Sequence, residues 1–298
     1  MSEASFPTLE ERVLAALAHI SILLMGVGIF APALVWVIKR RKSAYTSFQA
    51  LQALGFEVFF TFYATMIVLV AMIAVILLAF AGVGFKNPGT SLPVWANIAI
   101  IGVVALAVGL TLLYLLVGIV GALACLFGKD FRYPYLGSRL AVYLRQSSDE
   151  EFDQDHEDRY VAAMGHAGIM TQYWGITAPL IAWLASKGRS NLLRFQSLQA
   201  LVFQGLGTAI WIVVSLILFG FFGVAVILGT MGDTLPGAMI GSINGLSLAL
   251  ALISIILFMV FMLLWPLIST LGLVASFRLL KGRDYEYPLV GRLVKRWG

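Results

Sequence analysis

The sequence predicts an all-α integral membrane protein built from two parallel tandem repeats, and three observations carry that expectation. Of its residues 60% are hydrophobic and only 12% charged, with a mean hydropathy of +0.94, far from the roughly half apolar and one quarter charged composition of soluble domains. The chain also matches itself. At an offset of 147 residues, positions 12–56 align with 159–203 without a gap and 18 of 45 are identical, including His19/His166, Gly28/Gly175, Pro32/Pro179, Trp36/Trp183, Ser43/Ser190 and the decapeptides SFQALQALGF and RFQSLQALVF. A closing motif, GKDFRYPYLG at 128–137, returns as GRDYEYPLVG at 282–291. Apolar composition explains shared Ala and Leu, but not shared His, Trp, Pro and Gln, so the match reads as a duplication.

The expected units are a first membrane repeat over 1–145, an acidic linker over 146–158 and a second repeat over 159–298. The linker QSSDEEFDQDHED holds seven acids and no Lys or Arg, which reads as a solvated connection. The start MSEASFPTLEER carries three acids against one arginine, unlike the basic start of a secretory leader, so no cleaved segment is expected. A single cysteine, Cys125, lies in an apolar run and is read as a small buried hydrophobe.

Each half offers three apolar stretches: 13–38, 48–85 and 94–127, then 161–185, 195–229 and 238–280. Three crossings per half would invert the second half and split the basic residues nine against eleven across the membrane, contrary to the positive-inside bias. If the first stretch of each half enters and leaves on one side, every Lys and Arg except Lys86 is cytoplasmic, nineteen of the twenty. Gly26, Gly28 and Pro32 interrupt the first stretch, leaving fragments too short to span. Each half is therefore expected to be a re-entrant or broken helical hairpin plus two long transmembrane helices, with outer loops FKNPGTSLP and GTMGDTLPG and both termini cytoplasmic. The basic face suits anionic headgroups of a bacterial cytoplasmic membrane, and topology accounts for it without nucleic acid.

Ser43 and Ser190 precede the decapeptides and are positioned to cap a helix starting there. On that helix Gln49 and Gln52 share a face, as do Gln196 and Gln199. They are expected to satisfy backbone groups freed by the broken hairpin, with the lining of a polar vestibule as the alternative. Glu57 and Gln204 match one turn deeper, and Glu57 is a candidate for a proton or ion role. His19 and His166 are expected to hydrogen-bond at the hairpin base. Facing each other they would resemble a bis-histidine haem site, but three histidines and one cysteine in all supply few ligands, and no cofactor or metal site is expected. Trp36, Trp183, Tyr133 and Tyr287 read as interface anchors. Gly128 and Gly282 are expected to end the last helix of each half, with Pro134 and Pro288 preventing its resumption.

The order H-x-x-I, G-I-x-A-P-x-x-x-W, S, F-Q-x-x-Q-A-L-x-F and G-x-D-[FY]-x-Y-P resembles the bacterial membrane domain grouped with the Tic-twenty-like proteins, relatives of a chloroplast inner-envelope translocon component. The resemblance implies an even number of membrane elements with both ends on one side. It differs from this chain in having one copy where the chain has two. No nucleophile and base set, phosphate loop or carboxylate pair is present, so a non-enzymatic scaffold or accessory subunit is expected, with a membrane-protein partner or self-association through small residues such as Gly102, Gly109, Gly118 and Gly121. The alternative is a translocation or permeation element with a path between the repeats.

Overall fold

A computed structural model describes residues 6–80, 94–145, 152–188, 190–232 and 237–297. Their regular structure is helical. The first half runs α1 (Leu9–Ile20), short 3₁₀ turns at Ser21–Leu24 and Val27–Ile29, α2 (Phe30–Lys39), α3 (Ala44–Phe80), α4 (Val94–Leu126) and α5 (Leu136–Tyr143). The second half repeats the order with α6 (Gln154–Ala167), a 3₁₀ stretch at Gly168–Ile176, α7 (Thr177–Ala185), α8 (Asn191–Gly232), α9 (Gly237–Leu280) and α10 (Val290–Lys295). Most of the two expected outer loops, Lys86 and residues 146–151 of the expected linker lie outside the described residues.

Each local start and stop has a chemical cause. Thr8 caps α1 in a reciprocal box: its backbone N–H donates to Glu11 Oε2 at 2.8 Å and its hydroxyl accepts from Glu11 N, satisfying amides left free at a helix start. The chain then reverses at Met25 and Gly26, with φ of 36° and 67°. Pro32 sits in the first turn of α2, and Pro179 in that of α7. There a missing N–H costs no bond, so these prolines start the second arm of each hairpin rather than breaking the first. Ser43 and Ser190 cap α3 and α8, accepting from Thr46 N and Leu193 N at 3.2 Å each.

Several contacts bring element ends together at one end of the first half. Lys39 Nζ lies 2.7 Å from Glu10 Oε1, joining the end of α2 to the start of α1. Arg12 Nη1 donates to Leu126 O at 3.3 Å at the end of α4. In the second half Arg159, on α6, pairs with Asp284 beyond α9 at 2.8 Å. With 12 residues in α1 and 10 in α2, neither arm approaches the ~20 residues needed to span hydrocarbon.

The long helices do. By length and composition, Val94–Leu126, Asn191–Thr230 and Gly245–Leu280 are long and apolar enough to cross a membrane, and α3 has 37 residues. At about 1.5 Å per residue each exceeds the ~30 Å hydrocarbon thickness. Leu112, Leu116, Leu216, Phe219 and Leu267 are more than half exposed, the surface expected against lipid. The chain is a membrane protein by these features. Helix α9 continues through Pro266. Of the glycines offered for helix association, Gly118 and Gly121 are used internally, receiving Ile22 and Phe131 too closely to admit a Cβ, whereas Gly102 and Gly109 face open space.

The two halves share one core. Trp36, Phe48, Leu51 and Leu54 pack in the same buried cluster as Tyr160, Val161, Ala163 and Ile181. Two sequence expectations change here. The acidic linker ends early, because α6 starts at Gln154 and Glu157 and Asp158 are buried. Trp36 is a core residue rather than an interface anchor: it is 1% exposed, and its Nε1 donates to Glu157 Oε1 at 2.6 Å. The reason for both is Arg40, itself buried, which pairs with Asp158 and Glu157 and stacks over the Trp36 ring at 4.7 Å. A partner charge and indole face make that burial tolerable.

Replacing Arg40 with Met would strand two buried carboxylates, an expected loss of ~3–5 kcal/mol, read as a lower thermal midpoint in detergent. Adding Glu157→Gln and Asp158→Asn, which removes the stranded charge while keeping an acceptor for Trp36, is expected to recover much of it.

Candidate functional site

The glutamine face of α3 meets the loop that follows α4. That helix ends at Gly128, whose φ of 72° is readily adopted only by glycine; Gly128 N donates to Cys125 O at 2.9 Å and Lys129 N to Ala124 O at 3.0 Å. Pro134 keeps the following residues from resuming the helix. The freed strand of loop then lies across α3, where Gln52 treats it as a sheet partner would. Its Nε2 donates to Phe131 O at 2.7 Å and its Oε1 accepts from Tyr133 N at 3.2 Å.

Gln49 completes the set. Its Nε2 donates to Phe131 O at 3.0 Å and to Asp130 Oδ1 at 3.1 Å, and its Oε1 accepts from Gln52 Nε2 at 2.6 Å. The same oxygen lies 2.9 Å from His19 Nε2, and Tyr133 Oη lies 2.8 Å from His19 Nδ1. Because the Gln49 oxygen only accepts, the network assigns the proton to Nε2, and the Tyr133 hydroxyl donates to Nδ1.

The second half repeats this lock residue for residue. His166 Nδ1 is 3.0 Å from Tyr287 Oη and its Nε2 3.1 Å from Gln196 Oε1. Gln196 and Gln199 donate to Tyr285 O at 3.0 and 2.7 Å, Gln199 also donates to Gln196 Oε1, and its own oxygen accepts from Tyr287 N at 3.3 Å. Phe56 and Phe203 stack on the two tyrosines at 4.0 and 4.1 Å. The periphery differs: Asp130 accepts from Gln49, whereas Asp284 pairs with Arg159.

The glutamines thus bind the closing loop and a histidine, not the backbone of the 3₁₀ break, because the loop brings an unpaired carbonyl and N–H within their reach. Tyr133 and Tyr287, 2% and 1% exposed, are members of the lock rather than interface anchors. A bis-histidine haem arrangement is not formed, since both ring nitrogens of each histidine are engaged within its own half. Burial drives both imidazoles down to about 4, opposed by the glutamine bonds, and raises both tyrosine hydroxyls. Both histidines sit on α1 and α6, which are too short to span.

Deeper along α3 and α8, Glu57 and Gln204 leave the lock and touch the hairpins. Gln204 Nε2 donates to Gly165 O at 2.6 Å, and Glu57 Oε2 accepts from the Tyr114 hydroxyl at 2.8 Å. Next to Tyr114, an apolar cleft of about 490 Å³ lies within the first half, lined by Phe56, Phe60, Tyr63, Leu110 and Tyr114. Sequence reasoning missed the tyrosines as partners of the histidines. The signal was available, since both lie in the closing motif that the two halves share.

Compared with protein families, the chain matches the MamF/MmsF model, the magnetosome magnetite crystal formation protein family, over residues 10–140 and again over 157–294. The chain belongs to that family. Neither the curated proteins nor the solved structures gave a match. The MamF/MmsF match corrects the resemblance to the Tic-twenty-like proteins. His19, Gln52, Phe56, Tyr133 and Pro134, which carried that resemblance, are parts of the lock or of the loop it holds, and Phe48 belongs to the shared core.

Gln52→Leu is expected to leave Tyr133 N without a partner and Phe131 O with Gln49 alone, and to cost about 1–3 kcal/mol, with Gln199→Leu costing a similar amount; thermal unfolding of each variant measures it. The histidines add a pH dependence. Their folded value of about 4 lies below the ordinary 6.5, so the unfolded chain binds more protons between those limits. Stability is expected to be kept above pH 6.5 and lost as pH falls toward 4, and His19→Gln with His166→Gln is expected to flatten that slope.

Proposed function

We propose that this MamF/MmsF protein is a non-enzymatic scaffold or accessory subunit of a bacterial membrane, contributing to magnetosome magnetite formation by presenting apolar helix faces to other membrane proteins or to further copies of itself. The supporting observation is how the polar side chains are used. Both glutamine pairs and both histidines are consumed by internal hydrogen bonds, whereas α4, α8 and α9 leave long apolar surfaces uncovered. A path between the halves finds no such support: the shared seam is filled by Trp36, Phe48 and Tyr160, and the 490 Å³ cleft is apolar and lies within one half.

In this reading, residues 1–145 and 159–298 are parallel modules, each a re-entrant hairpin and two spans, related by an axis along the membrane normal. The ion pair between Lys39 and Glu10 at the two ends of one hairpin favours this arrangement. The basic ends face the cytoplasm and its anionic headgroups.

On a Cys125→Ser background, single cysteines at Ser43, Ser190 and Ser91 are labelled in intact cells with a membrane-impermeant maleimide. Labelling at Ser91 alone is expected; labelling at Ser190 without Ser43 would mean inverted halves. For the role itself, removing the gene is expected to change the size or number of magnetite crystals in electron micrographs, and unchanged crystals would sink the assignment.

A further inference from the structure

The two halves share the His, Gln and Tyr side chains of the lock and diverge a single turn deeper, where the first has a carboxyl group and the second an amide. In the second half the Gln204 amide donates to Gly165 O in the last turn of α6, tying the hairpin to α8, while its Oε1 is buried without a partner. In the first half Glu57 is 2% exposed. Its Oε2 is satisfied by Tyr114, but its Oε1 is buried with no partner. That orphan oxygen and the carbonyl oxygen of Ser21 both close over Gly28, each so near that a Cβ at position 28 would collide with it. Gly175, its twin, is crowded in the same way by Gly168 O, with Gln204 Oε1 3.0 Å from its Cβ position.

The second half holds a neutral amide oxygen and a carbonyl oxygen over Gly175 in the same way, whereas in the first half the crowding oxygen belongs to a carboxyl group, which is charged when ionised. The titratable groups facing Glu57 are Tyr114 from α4 and Tyr133 from the loop, neither a cation. The hairpin presents backbone at Ser21 and Gly28, and Trp174 of the second half closes over the neighbouring Gly26. An ionised carboxylate there would lie beside a carbonyl dipole with one hydroxyl donor and no counter-charge, a costly state away from water. The amide at the equivalent position shows which chemistry the place accepts: a neutral group that donates to the hairpin backbone.

We infer that Glu57 is a proton-binding site, its carboxyl held neutral with Oε1–H donating to the hairpin carbonyl, so that deprotonation releases the first hairpin from α3. The proton is bound more tightly in the docked form, and docking is therefore lost as pH rises. The second hairpin, held by an amide, carries no such dependence and serves as a control within the same chain. The inference is independent of the scaffold reading.

The test is hydrogen exchange followed by mass spectrometry on the full chain in lipid nanodiscs, from about pH 6 to about pH 9, with rates corrected for intrinsic chemistry. Protection over residues 18–32 is expected to fall with pH relative to residues 165–179, by up to about tenfold per unit once the group titrates. Glu57→Gln is expected to keep the first hairpin protected and to make the two respond alike. An equal response of both hairpins in the wild-type chain overturns the inference, as does a difference that persists in Glu57→Gln. Protection restored at high pH by added magnesium or sodium chloride, in the wild type and not in Glu57→Gln, overturns it in favour of a cation site. Should Glu57→Gln not fold, infrared spectra of the wild type decide: a carbonyl stretch of a protonated carboxyl must be present at neutral pH and vanish as pH rises, and its absence overturns the inference.

Discussion

A buried glutamine amide brings two donors and an acceptor that must all be paired away from water, and this demand organises one end of each half. Gln52 and Gln199 meet it by bonding a stretch of backbone that belongs to no helix, the loop after α4 or α9. For that loop to arrive, the preceding helix must end at the level where the glutamine helix begins, and glycines at 128 and 282 end it there. The second glutamine then needs a donor for its shared oxygen and receives a histidine from the first arm of the hairpin. One pair of amides thereby fixes the relative placement of three elements that are far apart in sequence. Lipid gives little drive for apolar helices to associate with one another, so a satisfied polar cluster at one end is an effective way to specify their arrangement.

The periphery differs between the halves while the lock is kept in both. Asp130 joins the first lock, but Asp284 turns outward to Arg159. Arg40 has no equivalent cluster in the other direction, because its partners Glu157 and Asp158 lie on α6, while the corresponding acids on α1 include Glu10, paired with Lys39. Tyr160 reaches from α6 to donate to Leu51 O on α3 at 3.2 Å, where its counterpart on α1 is Val13 and has no hydroxyl to offer. The halves are equal in their internal design and unequal in how they grip each other. A fused pair permits such one-sided contacts, which two identical chains related by symmetry would have to make twice.

Membership of the MamF/MmsF family fits a protein whose polar residues serve its own architecture. In both halves the residues most conspicuous in the sequence are engaged with the chain itself, and what the molecule offers outward is apolar helix surface. Glu57 stands apart as the buried acidic group whose second oxygen the fold leaves without a donor.

Composition was enough to determine the helical membrane class, and the local chain the serine caps and the glycine stops, because these depend on residues close together in sequence. The pairing of Gln49 and Gln52 on one face followed from helical spacing alone. What they bind did not, since Phe131 and Tyr133 are about 80 residues away and only the fold brings them near. The same distance hid the buried Arg40, which reads as one of four consecutive basic residues until Glu157 and Asp158 are seen to turn inward. Likewise a tyrosine beside a proline at a helix end looks like an anchor at the membrane surface, and only tertiary packing against His19 or His166 makes it belong to the interior. Local preference sets where helices begin and end; the partners of a buried polar atom are set by whichever distant backbone the packed chain delivers to it.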